Sequence, residues 1–393
     1  MRRPHRTPAS ATALACLALA LGACGQGGNE VDVDVQGTAT AAPTGTVQNG
    51  ELTFAVDGVP DVVATIATGL TTPWGVAFLP DGRAVVTERD TGRVLVVTAP
   101  AVDGEPTEEP GEVVEIGTIA ETQARSEGGL LGVAVSPTFS SDGLLFFYVS
   151  TADDNRIVRA TFDGESLGAT EPIVTGIPVA ERHNGGALTF GPDGFLYAST
   201  GDAEDGARAQ ARKSLGGKIL RMTADGEPAP DNPFKTLVWS MGHRNVEGLT
   251  FDMDSQLWAS EFGDQTADEL NRILPGANYG WPQVEGDRGP AKFTRPSLTW
   301  SAEEASPAGV TYAGGYLWMA ALRGERLWRI KVASGQVSDP AAYFAPAAED
   351  EQTFGRLRTV VRDPSGRLWL TTSNTDGRGE PGEGDDRILL VEP

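Results

Sequence analysis

One pattern recurs six times along the chain and restricts its fold more than any other feature. In each copy a short apolar run meets a turn, and a second, alternating run follows. Trp74-Gly75-Val76-Ala77-Phe78-Leu79-Pro80-Asp81-Gly82 leads into residues 84–88, and Leu131-Gly132-Val133-Ala134-Val135-Ser136-Pro137 leads through Ser141-Asp142-Gly143 into 145–149. The third copy runs from 187–190 through Pro192-Asp193-Gly194 into 195–200. Residues 248–251 with 256–259, 309–312 with 316–319, and 358–361 with 367–370 complete the set. Each copy predicts a β-hairpin, because Pro presets the turn dihedral and Gly accepts positive φ.

The copies recur at intervals of about 50 to 60 residues, the span of a four-stranded propeller blade. Third strands are expected at 93–97, 157–161, 218–222, 269–274, 326–332 and 387–392, and outer strands at 112–118 and 171–176. Residues 62–70 precede the first hairpin and read as an outer strand that joins the last blade and closes the ring. Closure removes exposed edges. The predicted fold is an all-β, six-bladed propeller of four-stranded antiparallel blades. The aromatics that recur on second strands (Tyr197, Trp258, Trp318, Trp369) are expected to pack between blades.

The N-terminus stands apart from this pattern. Arg2, Arg3 and Arg6 precede an apolar run over 11–21, the layout of a secretory signal and too short for a membrane span. Leu21-Gly22-Ala23-Cys24 resembles a bacterial lipobox, with Cys24 as the lipidated first residue of the mature chain; an ordinary signal peptide is the alternative. Residues 1–23 are thus expected to be a signal, 24–58 a flexible tether and 59–393 the propeller. The lipid would hold the protein to the outer face of the cytoplasmic membrane. Only two cysteines exist, Cys16 and Cys24, so the propeller has no disulfide. A net charge of −23 argues against nucleic acid and anionic lipid as partners.

Function must be read from residues left over by the fold. Three histidines occur, and His5 lies in the signal. His183 and His243 both sit in polar loops leading into a first strand, where a propeller lines one mouth of its channel. His183 precedes the first strand of its hairpin and Asp202 follows the second, so the two ends return to one edge. A carboxylate on one imidazole nitrogen fixes the tautomer and leaves the other as a base. Gly242-His243-Arg244-Asn245 offers an Arg-Asn pair for an oxygen-rich ligand. Arg356 and Arg358 project to the same side of an extended segment, and Arg323 precedes a third strand. With Arg244 they suggest a polyanionic ligand; scattered solvated charges are the alternative. Residues 260–269 and 276–282 are rich in oxygen donors without cysteine, which suits Ca²⁺ better than zinc.

Taken together, Glu127-Gly128-Gly129-Leu130-Leu131-Gly132, His183-Asn184-Gly185-Gly186, Leu215-Gly216-Gly217-Lys218-Ile219-Leu220, Gly242-His243-Arg244-Asn245 and Asn278-Tyr279-Gly280-Trp281-Pro282 resemble the soluble quinoprotein glucose/sorbosone dehydrogenases, most of all their aldose sugar dehydrogenase branch. The resemblance implies pyrroloquinoline quinone (PQQ) with Ca²⁺, an aldose or related alcohol as substrate and an external electron acceptor. It implies His183 as the base that takes the proton of the sugar C1 hydroxyl while a hydride passes to the quinone, with Asp202 orienting it. Glu127, Arg244, Asn245, Arg323, Arg356 and Arg358 fall on cofactor contacts. Gly263 and Asp264 fall where main-chain carbonyls hold the cofactor Ca²⁺, and Glu269 with the Tyr279 carbonyl at a separate Ca²⁺ site. Three positions depart from the pattern: Glu127 stands for a Gln, Arg323 for a Lys and Asp264 for a Pro. Two other functions stay open at this point, a non-catalytic ligand-binding propeller and a Ca²⁺-dependent lactonase-type hydrolase.

Overall fold

The computed structural model describes residues 45–48, 51–54, 58–102, 110–346 and 352–393. The expected signal, Cys24 and most of the expected tether lie outside them. Within that tether, Gly45–Gln48 and Glu51–Phe54 pair as a two-stranded antiparallel hairpin, a structure the polar composition of the segment did not suggest.

Six four-stranded sheets then follow in chain order, each antiparallel. Blade three is Gly185–Phe190, Leu196–Thr200, Lys218–Met222 and Val238–Met241; blade four is Asn245–Phe251, Leu257–Phe262, Asp268–Ile273 and Leu298–Trp300. Blade six takes Leu357–Arg362, Leu368–Thr372 and Ile388–Glu392 from the end of the chain and Asp61–Ala67 from its start. The ring therefore closes on the strand that the sequence placed before the first hairpin.

Six apolar clusters fill the spaces between blades. Five join two neighbours, such as Tyr197, Ile219, Leu249 and Ala259 between blades three and four, or Ile66, Trp369, Val86 and Leu95 between six and one, and the cluster between two and three also takes in Trp74 of blade one. The second-strand aromatics Tyr197, Trp258, Trp318 and Trp369 are at most 3% exposed. They reach across the joints: Tyr197 meets Phe251 edge-on, and Trp369 meets Phe78. Burying such side chains contributes roughly 2–3 kcal/mol each, so the joints hold the ring without disulfides.

Near the axis the first strands crowd together, and this explains the recurring glycine. A Cβ on Gly132 would lie 2.2 Å from the Gly186 carbonyl oxygen, and one on Gly248 would lie 2.5 Å from that of Ala308. Hydroxyls latch the same strands: Ser199 Oγ accepts from the Ala187 N–H at 3.0 Å and donates to the Val246 carbonyl at 2.7 Å. In every blade the pairing of first and second strands also slips by a bulge at this level, as between Gly185 and Leu188. Bulges re-aim the residues beyond them. His183, Asp202, Arg244, Glu127, Arg323, Arg356 and Arg358 line the cavities that open at this level.

Candidate active site

His183 ends the connection into blade three and Asp202 follows the second strand of that blade, whose register pairs Gly185 with Thr200. The imidazole Nδ1 lies 2.8 Å from Asp202 Oδ1. Asp202 is 2% exposed, so its acceptors must be satisfied within the protein. The Glu204 N–H reaches Oδ1 at 2.9 Å and the Trp281 indole reaches Oδ2 at 2.7 Å. With its carboxylate accepting, His183 carries its proton on Nδ1 and presents Nε2 as acceptor. Its backbone is held at φ 59°, a left-handed conformation that non-glycine residues adopt at some cost. The backbone N–H of His183 donates to Glu127 Oε2 at 3.0 Å.

Two cavities open here. One, of about 280 Å³, is lined by His183, Asp202, Arg182, Arg244, Asp264 and Trp281. The other, of about 320 Å³, is lined by Glu127, Glu247, Arg323, Arg356, Arg358 and Arg378. Glu127 joins them through its bond to His183. In the second cavity four guanidiniums face two carboxylates, and two more acids outside the lining, Asp376 and Glu303, pair with Arg356 and Arg323.

Arg356 and Arg358 are 7% and 5% exposed and lean on separate acids, Asp376 at 3.0 Å and Glu247 at 2.8 Å. Burial presses the Arg356 guanidinium below the usual arginine range, with Asp376 opposing it. Burial would raise the Asp376 carboxyl, but Arg356 brings it below the usual range. Burial pushes Glu247 upward, against the pull of Arg358. Arg323 also lines the cavity, yet it is more than half exposed and pairs loosely with Glu303 at 3.6 Å. Glu127, which stands for a neutral amide in the pattern, has its charge met by Arg378 at 2.9 Å.

Arg244 Nη2 holds Asp264 at 3.0 Å, and its buried Nε has no hydrogen-bond partner. Asn245 accepts from the Gly185 N–H at 2.9 Å and donates to Glu247 at 3.0 Å, so its amide ties blade three to the cavity floor.

The donor set fits a flat polycarboxylate: paired buried guanidiniums, two further arginines and, in the neighbouring cavity, a buried Arg244 Nε without a partner. Among the described residues no group of three or more His, Cys, Asp or Glu is arranged to hold a metal. A Ca²⁺ at Gly263 and Asp264 would therefore rely on main-chain oxygens, because the Asp264 carboxylate is engaged by Arg244. Glu269 is buried and, among the described residues, meets no cationic side chain, its oxygens accepting from the Gly286 N–H at 2.7 Å and from Asn271 at 2.9 Å. Burial, helped by Glu261, pushes its carboxyl up to about 8, and the buried Asn271 Oδ1 beside it has no partner. Both features suit a cation. Tyr279 has its hydroxyl fixed between the Arg272 carbonyl and the Leu274 N–H, and its ring stacks on His243.

His243 does not line the mouth, contrary to the reading of its loop. It is fully buried, with Nδ1 on Glu261 at 2.8 Å and Nε2 on Ser240 at 2.8 Å. Its partners Glu261 and Ser240 lie in the interior, while Arg244 beside it lines the cavity. Sequence reasoning also missed Glu247, Asp376 and Arg378, and it gave Trp281 no role although the residue stood within a quoted motif.

Comparison with known proteins accords with this geometry. A solved structure of the PQQ-bound form of an aldose sugar dehydrogenase from Streptomyces coelicolor superposes with a TM-score of 0.79 at 50% identity, covering 85% of this chain and 97% of that one. The aldose sugar dehydrogenase YliI of Escherichia coli is 25% identical over 335 residues, 78% of this chain and 88% of the relative. The quinoprotein glucose dehydrogenase B of Acinetobacter calcoaceticus is 30% identical over 260 residues, which cover 56% of this chain and about half (52%) of that protein. Residues 70–380 match the Glucose / Sorbosone dehydrogenase family, and the chain belongs to it.

Proposed function

We propose that the chain is an exported, PQQ- and Ca²⁺-dependent dehydrogenase of aldoses or related alcohols, with His183 as its base and an external acceptor for the electrons. One observation carries this reading. The oriented His183–Asp202 pair opens beside a cavity where four guanidiniums face two carboxylates. Neither a hydrolase nor a passive binding propeller requires that combination, and membership of the family adds weight against both.

Arg356 and Arg358, with Arg378 and Arg323 around them, would hold the carboxylates of the cofactor, and Arg244 and Asn245 its quinone end. PQQ, when bound, supplies the two-electron oxidant, with Ca²⁺ as Lewis acid. His183 Nε2 takes the proton of the sugar C1 hydroxyl, and Asp202 stabilises the imidazolium so formed. Arg182 and Arg244 flank the base and offer donors to the sugar oxygens. The N-terminal reading adds a lipid on Cys24 that keeps the enzyme at the outer face of the cytoplasmic membrane. Metabolic labelling with a tagged fatty acid checks this part: Cys24→Ser should lose the label and release the protein.

The decisive experiment adds PQQ and Ca²⁺ to the protein and follows the quinone absorbance as a panel of aldoses is supplied. Bleaching by one of them is expected. Failure to bind the cofactor at all would overturn the assignment.

A further inference from the structure

We propose that Trp281 is a positioning residue for the His183–Asp202 pair; this rests on the dehydrogenase reading above. Asp202 has two oxygens and a nearly solvent-free site, 2% exposed. His183 Nδ1 and the Glu204 N–H both use Oδ1, at 2.8 and 2.9 Å, which leaves Oδ2 to the Trp281 indole N–H at 2.7 Å. Without that donor the second oxygen is buried and unsatisfied, and the carboxylate, held only at Oδ1, is favoured to turn toward another partner. A turned carboxylate no longer fixes the proton on Nδ1, and Nε2 ceases to be a reliable acceptor.

Trp281 is itself clamped more firmly than a packing residue requires. Its backbone N–H donates to the Gly242 carbonyl at 3.0 Å, and its backbone carbonyl accepts from Gln210 Nε2 at 2.7 Å. Gln210 and Asn278 exchange amide bonds at 3.0 and 2.9 Å, which ties the loop after Asp202 to the loop that carries Trp281. Gly206 lets the first loop lie flat on the second: a Cβ there would sit 3.2 Å from the indole nitrogen and 2.9 Å from Pro282. The indole face lies 5.4 Å from the Arg244 guanidinium carbon. One side chain of blade four thus fixes the base of blade three by its edge and Arg244 by its face.

Trp281→Phe in the full chain tests this, because phenylalanine keeps a ring beneath Arg244 and removes only the N–H. The expected result is a fall in kcat of roughly ten- to a hundredfold, with KM for the sugar and affinity for PQQ changed less than about threefold. A second readout needs no turnover. In ¹⁵N spectra of the histidine side chains at alkaline pH, wild-type His183 should show one tautomer with the proton on Nδ1, and the variant a mixture. His243, engaged at both nitrogens, serves as the internal control. Wild-type kcat together with an unchanged His183 tautomer would overturn the proposal. If the wild type oxidises no sugar at all, the dehydrogenase reading fails instead, and the tautomer still decides the role of Trp281. Should the Phe variant not fold, Gln210→Ala loosens the clamp from a distance: mixed tautomers support the proposal and a single tautomer refutes it.

Discussion

The two histidines of the propeller each hold a carboxylate oxygen at 2.8 Å through Nδ1, His183 on Asp202 and His243 on Glu261. Beyond that contact their surroundings diverge. His243 is fully buried, gives Nε2 to Ser240 and stacks on Tyr279 with ring centroids 4.6 Å apart. His183 keeps 14% of its side chain exposed, lines a cavity and stands in a left-handed backbone. A His–carboxylate pair is therefore not by itself a base. What makes one is the second nitrogen, and whether the protein spends it on a partner or leaves it for a substrate.

Substituting each histidine in turn breaks this comparison most sharply. His183→Ala should lower kcat roughly 10²–10⁴-fold while melting temperature and PQQ affinity stay near wild type, since a general base contributes about that factor. His243→Ala should do the reverse. It strands Glu261 in the interior and opens a cavity, costing about 3 kcal/mol in denaturant unfolding, with kcat of the folded enzyme nearly unchanged. Turnover retained in the first variant would remove His183 as base, and lost turnover in a fully folded second variant would give His243 a role it is not assigned here.

A smaller effect is expected on the cofactor side. Arg356→Ala with Arg358→Ala should weaken PQQ binding by roughly 10²-fold or more, from charge-assisted bonds of about 1.5–3 kcal/mol each. Arg323→Ala should cost about threefold at most, because that side chain is 59% exposed and held only by the freely solvated Glu303. Equilibrium titration of PQQ fluorescence orders the two variants. Equal losses at Arg323 and at the buried pair would mean that exposure does not rank these contacts.

How far the sequence revealed all this follows from where each contact is made. The six hairpins were legible because turn residues and alternation are local, and the axial glycine repeats with them. His183 and Asp202 were legible because a single hairpin returns both to one edge. Glu247 was not: it lies in a first strand, and only ring closure brings Arg358 of blade six to it across 111 residues. Arg378 and Trp281 lie in long connections, whose direction no periodicity encodes. His243 was misread because a polar loop looks the same in sequence whichever way its side chain turns.

The smallest predicted effect concerns the ground beneath His243, where Glu261, Asn271 and Glu269 form a buried acidic cluster. Burial and Glu261 raise the Glu269 carboxyl from 4.5 to about 8 in the folded protein. The folded state therefore holds this proton more tightly than the unfolded one, and the proton stabilises at low pH. Stability should fall as pH climbs from about 4.5 through about 8, at a slope of no more than about 1.4 kcal/mol per pH unit for one group. A cation on Glu269 would replace the proton and flatten that slope. Melting curves from pH 5 to 8.5, in chelator and in Ca²⁺, make the measurement. The chelated protein should lose melting temperature across this range and regain it with Ca²⁺, most at the alkaline end. A slope that Ca²⁺ leaves untouched would mean that Glu269 meets no cation. Glu269→Gln separates the group from its neighbours, because the amide keeps the shape and has no charge to bury. It should melt in chelator with little pH dependence over this range and gain nothing from Ca²⁺, whereas His183 and its cavity, on the other side of the comparison, should remain unaffected by either change.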